Sequence, residues 1–223
     1  TEALPDLNKG GFVLEKHLPV ASGIGGGSAD AAAALRLLAA HAGIPADHPA
    51  LFAAAAEIGA DIPVCLDSRS RVMRGTGTDL GPPLSLPHFP ALLVNPGIAT
   101  PTPEVFRGLG LAPGETFGPG GASEAALPSE VDDWPAQDDC SGWLARIIDG
   151  RNDLCGPAEA IVPEIAAIRA ALCNCTGCQI ARMSGSGASV FALFDGSGTR
   201  DKAAALMRAR HPDYWIAATT IGG

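Results

Sequence analysis

A run of glycines directly before an alanine-rich segment constrains this chain most. The run is Gly23-Ile24-Gly25-Gly26-Gly27-Ser28, and the residues before it, 12–18, are typical of a short strand that ends at Pro19. After the run, an Ala/Leu-rich stretch extends from Ser28 to His41, and Gly43 provides a stop. The order predicts a strand, a glycine loop and a helix, with Ser28 as the N-cap.

The glycine loop is chemically suited to an anion. Glycines adopt positive φ easily and let backbone N–H groups approach a ligand closely, and the N-terminus of a helix adds a favourable dipole for phosphate. The loop is not a Walker A motif, because no Gly-Lys-Ser/Thr follows, and the G-x-G-x-x-G spacing fails from both Gly23 and Gly25. A tight turn without a ligand is the alternative that the loop alone leaves open.

The remaining pattern predicts helices and strands in alternation, which indicates an α+β fold with an antiparallel sheet backed by helices. A helix with Asp47 as its cap is expected at 47–58, followed by a sharp loop at 59–63. Further helices are expected at 102–108, 157–172 and 199–210, an ordered segment of unassigned type at 143–148, and strands at 72–74, 91–94, 179–183, 189–194 and 214–219.

Composition excludes several classes of protein. The chain has 223 residues, of which 47% are hydrophobic and 17% are charged, so it is expected to fold into one large domain or two small ones. Seven of the acids behind its net charge of −9 fall within 110–139, a segment without Lys or Arg that is expected to be a flexible surface loop. The acidic balance argues against nucleic-acid binding.

No apolar stretch reaches the roughly 20 residues of a membrane span, and no signal peptide is visible, so a cytoplasmic location is expected.

Three of the six cysteines lie close together, at Cys173, Cys175 and Cys178. Structural zinc sites use four ligands, and a fourth would have to come from elsewhere in the chain. A thiol-rich turn between a helix and a strand is the preferred interpretation, with a metal site as the alternative.

The wider string around the glycine loop, from Pro19 to Ala29, resembles the phosphate-binding motif of the GHMP small-molecule kinases. Gly26 and Gly27 stand where most members have two serines, and this variant is similar to the branch that phosphorylates 4-diphosphocytidyl-2-C-methyl-D-erythritol. Five further strings agree with that branch: Gly59-Ala60-Asp61-Ile62-Pro63-Val64, Met73-Arg74-Gly75-Thr76-Gly77, Pro101-Thr102-Pro103, Arg151-Asn152-Asp153-Leu154 and Met183-Ser184-Gly185-Ser186-Gly187-Ala188.

The resemblance implies roles for particular residues. Asp61 matches the catalytic aspartate that orients or deprotonates the substrate hydroxyl, with a helix-capping or turn aspartate as the structural alternative. Thr102 and Phe106 match substrate contacts, the Phe106 ring offering a stacking face for cytosine, with a core phenylalanine as the alternative. ATP is the implied phosphate donor, and the resemblance implies Mg²⁺ with it, near Ser28. The implied ATP and phosphate contacts are Pro19, Ser22, Gly23, Gly25, Gly26, Gly27, Ser28, Ser184, Gly185, Ser186 and Gly187.

The resemblance also implies a two-domain organisation, with an ATP-binding domain at 1–90 and a substrate domain at 91–223. Members of the family begin with a longer N-terminal region that carries a Pro-Ala-Lys-x-Asn-Leu-like segment, so the first domain is expected to be incomplete in this chain. Another GHMP kinase and a non-catalytic nucleotide-binding fragment are the alternatives. The implied partner is the small-molecule substrate, with no nucleic acid or membrane, and the expected state is a monomer or homodimer.

Overall fold

A computed structural model of the chain describes residues 10–77, 79–112, 115 and 134–222. Most of the acidic segment at 110–139 lies outside the described residues, so its predicted flexibility stays a prediction. The chain divides into two compact units, Thr1–Leu18 with Gly25–Leu84 and Pro19–Ile24 with Ser85–Gly223. The predicted functional division at residue 90 likewise stays a prediction.

The described residues form helices and antiparallel strands in successive groups, which confirms the α+β prediction. No helix in this part of the chain is long and apolar enough to cross a bilayer. The helices are α1 (Gly26–His41), α2 (Pro49–Ile58), α3 (Ile62–Asp67), α4 (Thr102–Arg107), α5 (Cys140–Asp149), α6 (Cys155–Ile161), α7 (Glu164–Cys173) and α8 (Ser197–Arg210). The strands are β1 (Arg71–Arg74), β2 (Asp79–Pro83), β3 (Phe89–Asn95), β4 (Cys178–Met183), β5 (Val190–Phe194) and β6 (Trp215–Ile221).

The first unit packs α1, α2 and α3 around a small apolar core. Small side chains on α1 let the neighbouring helices approach closely, and the core residues are Ala32, Ala39, Leu51, Ala55, Ile62 and Leu66. Helix α1 ends in a Schellman motif, because Ile44 N–H donates to Ala39 O at 2.8 Å and Gly43, at φ +68°, donates to Ala40 O at 3.2 Å. The predicted stop at Gly43 is confirmed.

Three local predictions in the first unit are wrong. The N-cap of α1 is Gly25, with φ +71°, and Ser28 lies inside the first helical turn. The N-cap of α2 is His48, whose Nδ1 accepts from Ala50 N–H at 3.2 Å, in place of Asp47. The segment 12–18 forms no strand. A strand requires a neighbouring strand to pair with, and strand propensity alone does not supply one. Among the described strands of this unit, β1 and β2 pair with each other and not with 12–18.

The second unit is built on an antiparallel sheet in the order β4-β5-β3-β6. Alternate residues of β3 and β5 face the same buried core, as the two-residue period of a strand requires. Helices α7 and α8 contribute Ile165, Ile168, Leu172, Ala203, Ala204 and Met207 to this core.

The predicted helix at 157–172 is two helices. Helix α6 ends at Ile161 and α7 begins at Glu164, with Val162 in an extended conformation (φ −129°, ψ +86°) between them. Pro163 explains the break, because proline disfavours helical backbone at the residue before it and has no N–H to donate.

Candidate functional site

The N-terminus of α1 in the first unit presents an uncapped helix end. The first N–H groups of any α-helix have no intrahelical acceptor. Here the N-cap residue is Gly25, which has no side chain to accept from them. Cβ atoms built on Gly25 and on Gly27 would meet nothing within 4 Å. This combination of free donors and open space suits a phosphate group.

An ion pair lies beside this helix end. The Lys16 ammonium donates to the Asp30 carboxylate, and both side chains are only partly exposed. The same ammonium lies 3.7 Å from the position that a Cβ on Gly26 would occupy. Nothing in the sequence indicated this pairing, because the partners lie fourteen positions apart along the chain.

Asp61 stands at the start of α3, exposed, with buried Ile62 and Pro63 directly after it. Its carboxylate makes no capping hydrogen bond to the helix. Gly77 fits against this loop with φ +90°, since a Cβ there would lie 2.8 Å from Ala60 O. Two of the motif strings therefore meet at the aspartate, and the buried residues hold its position.

Three arginine side chains stabilise the segment that follows Asp61. Arg36 of α1 donates to Cys65 O at 2.8 Å and to Leu66 O at 3.3 Å, which satisfies carbonyls at the end of α3. Burial, with the nearby Asp61 charge, raises the pKa of the Cys65 thiol, so this thiol stays protonated at neutral pH. Arg69 and Arg71 pair with Asp67 at 2.8 and 2.6 Å and hold the pKa of its carboxyl below the usual range.

In the second unit, the loop 184–187 packs against the segment Pro19–Ile24. The Ser184 hydroxyl donates to Gly23 O at 2.9 Å, and Ser189 N–H donates to the carbonyl of buried Ser22 at 3.2 Å. The fit depends on glycine at both sides, because a Cβ on Gly23 would lie 2.4 Å from Gly187 O and one on Gly185 would lie 2.7 Å from Gly23 O. The structure therefore brings together Ser22, Gly23 and Ser184–Gly187, with Pro19 half-buried at the start of the segment.

The Asn152 side chain also holds the loop 184–187 in place. Its Nδ2 donates to Met183 O at 3.0 Å and to Gly185 O at 2.8 Å, while its Oδ1 accepts from Leu154 N–H at 3.1 Å. The sequence contained this residue in the string Arg151–Leu154 but gave it no role.

The two predicted substrate contacts lie on α4, and one of them touches the loop. The Thr102 and Ser186 hydroxyls lie 2.9 Å apart. Phe106 is 53% exposed, so the alternative of a core phenylalanine is wrong. Val105 is the residue of this helix that packs into the core.

The cysteines are free thiols, and the predicted helix-to-strand connection is confirmed: Cys173 ends α7, Cys178 begins β4, and Cys175 lies between them. Among the residues that the structure describes, no group of three or more His, Cys, Asp or Glu side chains is arranged to hold a metal ion. Burial raises the pKa of the Cys155 thiol to about 11, helped by its hydrogen bond to Glu159, so Cys155 is an inert thiol at neutral pH.

Comparison with known families agrees with the placement of these motifs. Residues 2–69 match the family model described as GHMP kinases N terminal domain, and residues 139–213 match GHMP kinases C terminal. A solved homoserine kinase from Cytophaga hutchinsonii has a TM-score of 0.69 at 17% identity, covering 93% of this chain and 68% of its own. At that identity the likeness shows the fold alone.

Closer relatives narrow the family. A 4-diphosphocytidyl-2-C-methyl-D-erythritol kinase of Methylobacterium radiotolerans is 50% identical over 98% of this chain and 72% of its own length. One of Rhodopseudomonas palustris is 46% identical over 99% and 72%. A crystal structure of 4-(cytidine 5'-diphospho)-2C-methyl-D-erythritol kinase has a TM-score of 0.69 at 33% identity, covering 94% of this chain and 69% of its own. The chain therefore belongs to the 4-diphosphocytidyl-2-C-methyl-D-erythritol kinase family of GHMP kinases.

Proposed function

We propose that this protein transfers the γ-phosphoryl group of ATP to the 2-hydroxyl of 4-diphosphocytidyl-2-C-methyl-D-erythritol, in the non-mevalonate route to isoprenoid precursors. The observation that carries the proposal is 50% identity over 98% of the chain to a kinase of that name. The local geometry supports it, because an uncapped helix end, a glycine-fitted loop and an exposed, fixed carboxylate are the parts that phosphoryl transfer requires.

The open helix end of α1 is assigned to the phosphates of ATP. Gly25, Gly26, Gly27 and Ser28 supply backbone donors there, and the open space at Gly25 and Gly27 lets phosphate oxygens approach them. In the second unit, Ser184–Gly187 and the segment with Pro19, Ser22 and Gly23 are assigned to the nucleotide as well. Their support is the mutual packing that fixes both backbones.

Mg²⁺ fits the chemistry of the donors at the start of α1. The Ser28 hydroxyl lies in the first turn next to the open face of Gly27, and Mg²⁺ prefers oxygen ligands and shares them with substrate phosphates. Ser28 would hold the ion, while Asp30 is engaged by Lys16. When bound, the ion neutralises charge on the phosphate oxygens.

Asp61 is assigned as the residue that accepts the substrate proton. The hydroxyl oxygen attacks the γ-phosphorus, its proton passes to the Asp61 carboxylate, and the bond between the γ-phosphorus and the β–γ bridging oxygen breaks. The products are the 2-phosphorylated substrate and ADP. Buried Ile62 and Pro63 anchor the carboxylate, and α3 needs no hydrogen bond from it.

The decisive variant is Asp61→Asn, compared with Asp47→Asn at an exposed carboxylate of the same unit. We expect Asp61→Asn to lower kcat by about 10²- to 10⁴-fold, the usual contribution of a general base, with ATP binding retained, and Asp47→Asn to leave kcat unchanged. ADP release is measured with the intact enzyme and the named substrate. An unchanged kcat in Asp61→Asn would refute the assignment, and ATP binding without turnover in the unmutated protein would favour a non-catalytic nucleotide-binding protein.

Phe106 and Thr102 are assigned to the substrate. The exposed Phe106 ring offers an apolar face for cytosine, and stacking of a base on an aromatic ring is worth about 1–3 kcal/mol. Phe106→Ala should therefore raise KM for the substrate by about 5- to 150-fold and leave KM for ATP unchanged. Ile161→Ala, at a 40% exposed apolar residue of α6, is the matched control. A Phe106→Ala enzyme with an unaltered substrate KM would overturn the stacking role, and a preference for homoserine or phosphomevalonate would overturn the substrate.

The proposal places the enzyme in the cytoplasm. All six cysteines are free thiols in the structure, and proteins without structural disulfides are typical of reducing compartments. Localisation of a tagged full-length protein by fractionation would test this placement.

A further inference from the structure

The turn between α7 and β4 carries a cysteine motif that the proposed kinase reaction does not use. Residues Cys175-Thr176-Gly177-Cys178 form a hydrogen-bonded β-turn, in which Cys178 N–H donates to Cys175 O at 3.1 Å. The α-carbons of the first and last residues of a β-turn lie within about 7 Å of each other. Disulfides join α-carbons that are roughly 4.4–6.8 Å apart, so the turn holds the two cysteines at a separation that a disulfide can span.

The geometry of this turn is fixed by its surroundings. Gly177 has φ +79°, which suits the third position of a type II turn, and a Cβ there would lie 2.3 Å from Asp195 Oδ1. Asp195 N–H also donates to Gly177 O at 2.9 Å, which ties the turn to the end of β5. The spacing of the two cysteines is therefore a property of the folded protein.

The two thiols face a common environment. Cys175 and Cys178 are both partly buried and pack against the main core of the second unit. The Cys175 thiol donates to Ala171 O at 3.4 Å. Cys173 is exposed at the end of α7 and lies outside the turn.

A cleft of about 260 Å³ opens beside Cys175. Its walls include Asn174, Thr176, Thr199 and Lys202, and Leu206 adds an apolar floor. The Arg210 charge also acts on the Cys175 thiol and favours its thiolate. A small molecule with carboxylates would find both a basic side chain and a thiol there.

We propose that Cys175 and Cys178 form a redox-active dithiol, a modification site whose oxidant is a small disulfide that carries carboxylates. The Cys175 thiolate attacks one sulfur of that disulfide, forms a mixed disulfide and releases the first thiol. Cys178 then attacks the Cys175 sulfur, the mixed disulfide breaks, and the second thiol leaves. The protein loses two protons and two electrons, and the small disulfide takes them up as it is reduced to two thiols.

The chemistry of the thiols gives the site a defined pH dependence. Burial, with the neighbouring cysteines, raises the pKa of Cys178 to about 11, and burial also raises the pKa of Cys175. The thiolate is the nucleophile, so oxidation is slow at neutral pH and accelerates as the pH rises toward these values. Thiols of high pKa are poor leaving groups, so the disulfide resists reduction once it forms.

The test uses the full chain, treated with glutathione disulfide and analysed by intact mass and peptide mapping. We expect a loss of two hydrogens, mapped to a Cys175–Cys178 link, that is retained in Cys173→Ser. Cys178→Ser should instead accumulate one glutathionyl group on Cys175. Lys202→Gln should slow exchange with glutathione disulfide by about two- to fivefold and leave exchange with uncharged hydroxyethyl disulfide unchanged.

Three outcomes would overturn the proposal. The first is an unchanged mass under conditions that modify exposed Cys173, the second is a link that maps to Cys173, and the third is closure that persists in Cys178→Ser. Thermal unfolding of each variant shows whether it is folded, and a Cys178→Ala variant replaces any serine variant that is not. The readout is mass, so it is independent of kinase activity.

Discussion

Two glycines of the same loop predict opposite phenotypes when they are changed to alanine. Gly27 lies in the first turn of α1, and a Cβ there meets nothing within 4 Å. Gly23 has φ +72°, and a Cβ there would lie 2.4 Å from Gly187 O and 2.6 Å from Ser184 O. Alanine at position 23 would therefore clash with the protein's own backbone, whereas alanine at position 27 would only fill the open space at the helix end.

The magnitudes follow from these environments. Gly27→Ala should leave the free energy of unfolding unchanged or raise it by up to about 1 kcal/mol, because alanine is the better helix former. It should weaken ATP binding, since losing one charge-assisted hydrogen bond costs about 1.5–3 kcal/mol, or about 10- to 150-fold in KM. Gly23→Ala should lower the free energy of unfolding by about 2–4 kcal/mol, from about 1 for the left-handed backbone and 1–3 for the overpacking.

Urea denaturation gives the free energy of unfolding, and ADP release gives KM for ATP, both on purified full-length protein. If Gly27→Ala folds normally and keeps its KM for ATP, the open space at the start of α1 is not a phosphate site. If Gly23→Ala is as stable as the unmutated protein, the packing of the two loops does not constrain residue 23. Either result would refute the part of the reasoning that it tests.

Two further predictions concern side chains that hold the motifs in place. Asn152→Ala should lower the free energy of unfolding by about 1–3 kcal/mol, because the carbonyls of Met183 and Gly185 lose their donor; unaltered urea unfolding would contradict this. The lowered pKa of Asp67 contributes stability that is present above the unfolded-state pKa of about 4 and is lost as the pH falls through the folded-state value. Asp67→Asn should therefore destabilise the protein at pH 7 but much less in acid, and an equal difference at every pH would contradict the pairing with Arg69 and Arg71.

The sequence predicts a helix end well when the residue that causes it lies at that end. The end of α1 follows from Gly43, and the break between α6 and α7 follows from Pro163 by a rule that the 157–172 prediction did not apply. Strand β2 was missed because Asp79–Pro83 contains two prolines and a glycine, which depress strand propensity. The strand expected at 12–18 was wrong because that segment has strand propensity but no described strand beside it to pair with.

The candidate site shows the same division. The glycine composition of both loops indicated close backbone approach, but the hydrogen bond from Ser184 to Gly23 joins residues 161 positions apart. Spacing along the chain carries no information at that range. The resemblance to the GHMP kinases is what grouped the two loops at the sequence level, and the Cβ contacts of Gly23 and Gly185 give the physical reason why they pack together.

Two carbonyl oxygens of the loop 184–187 accept hydrogen bonds from the protein itself. Gly185 O accepts from Asn152, and Ser184 O accepts from Gly187 N–H at 3.0 Å. Across the packed segment, Gly23 O accepts from the Ser184 hydroxyl. Carbonyl oxygens repel an anion, whereas N–H groups attract one. A carbonyl oxygen that accepts from an internal donor presents less negative charge to an approaching phosphate, so the proposed nucleotide role of this loop predicts that Asn152→Ala also raises KM for ATP.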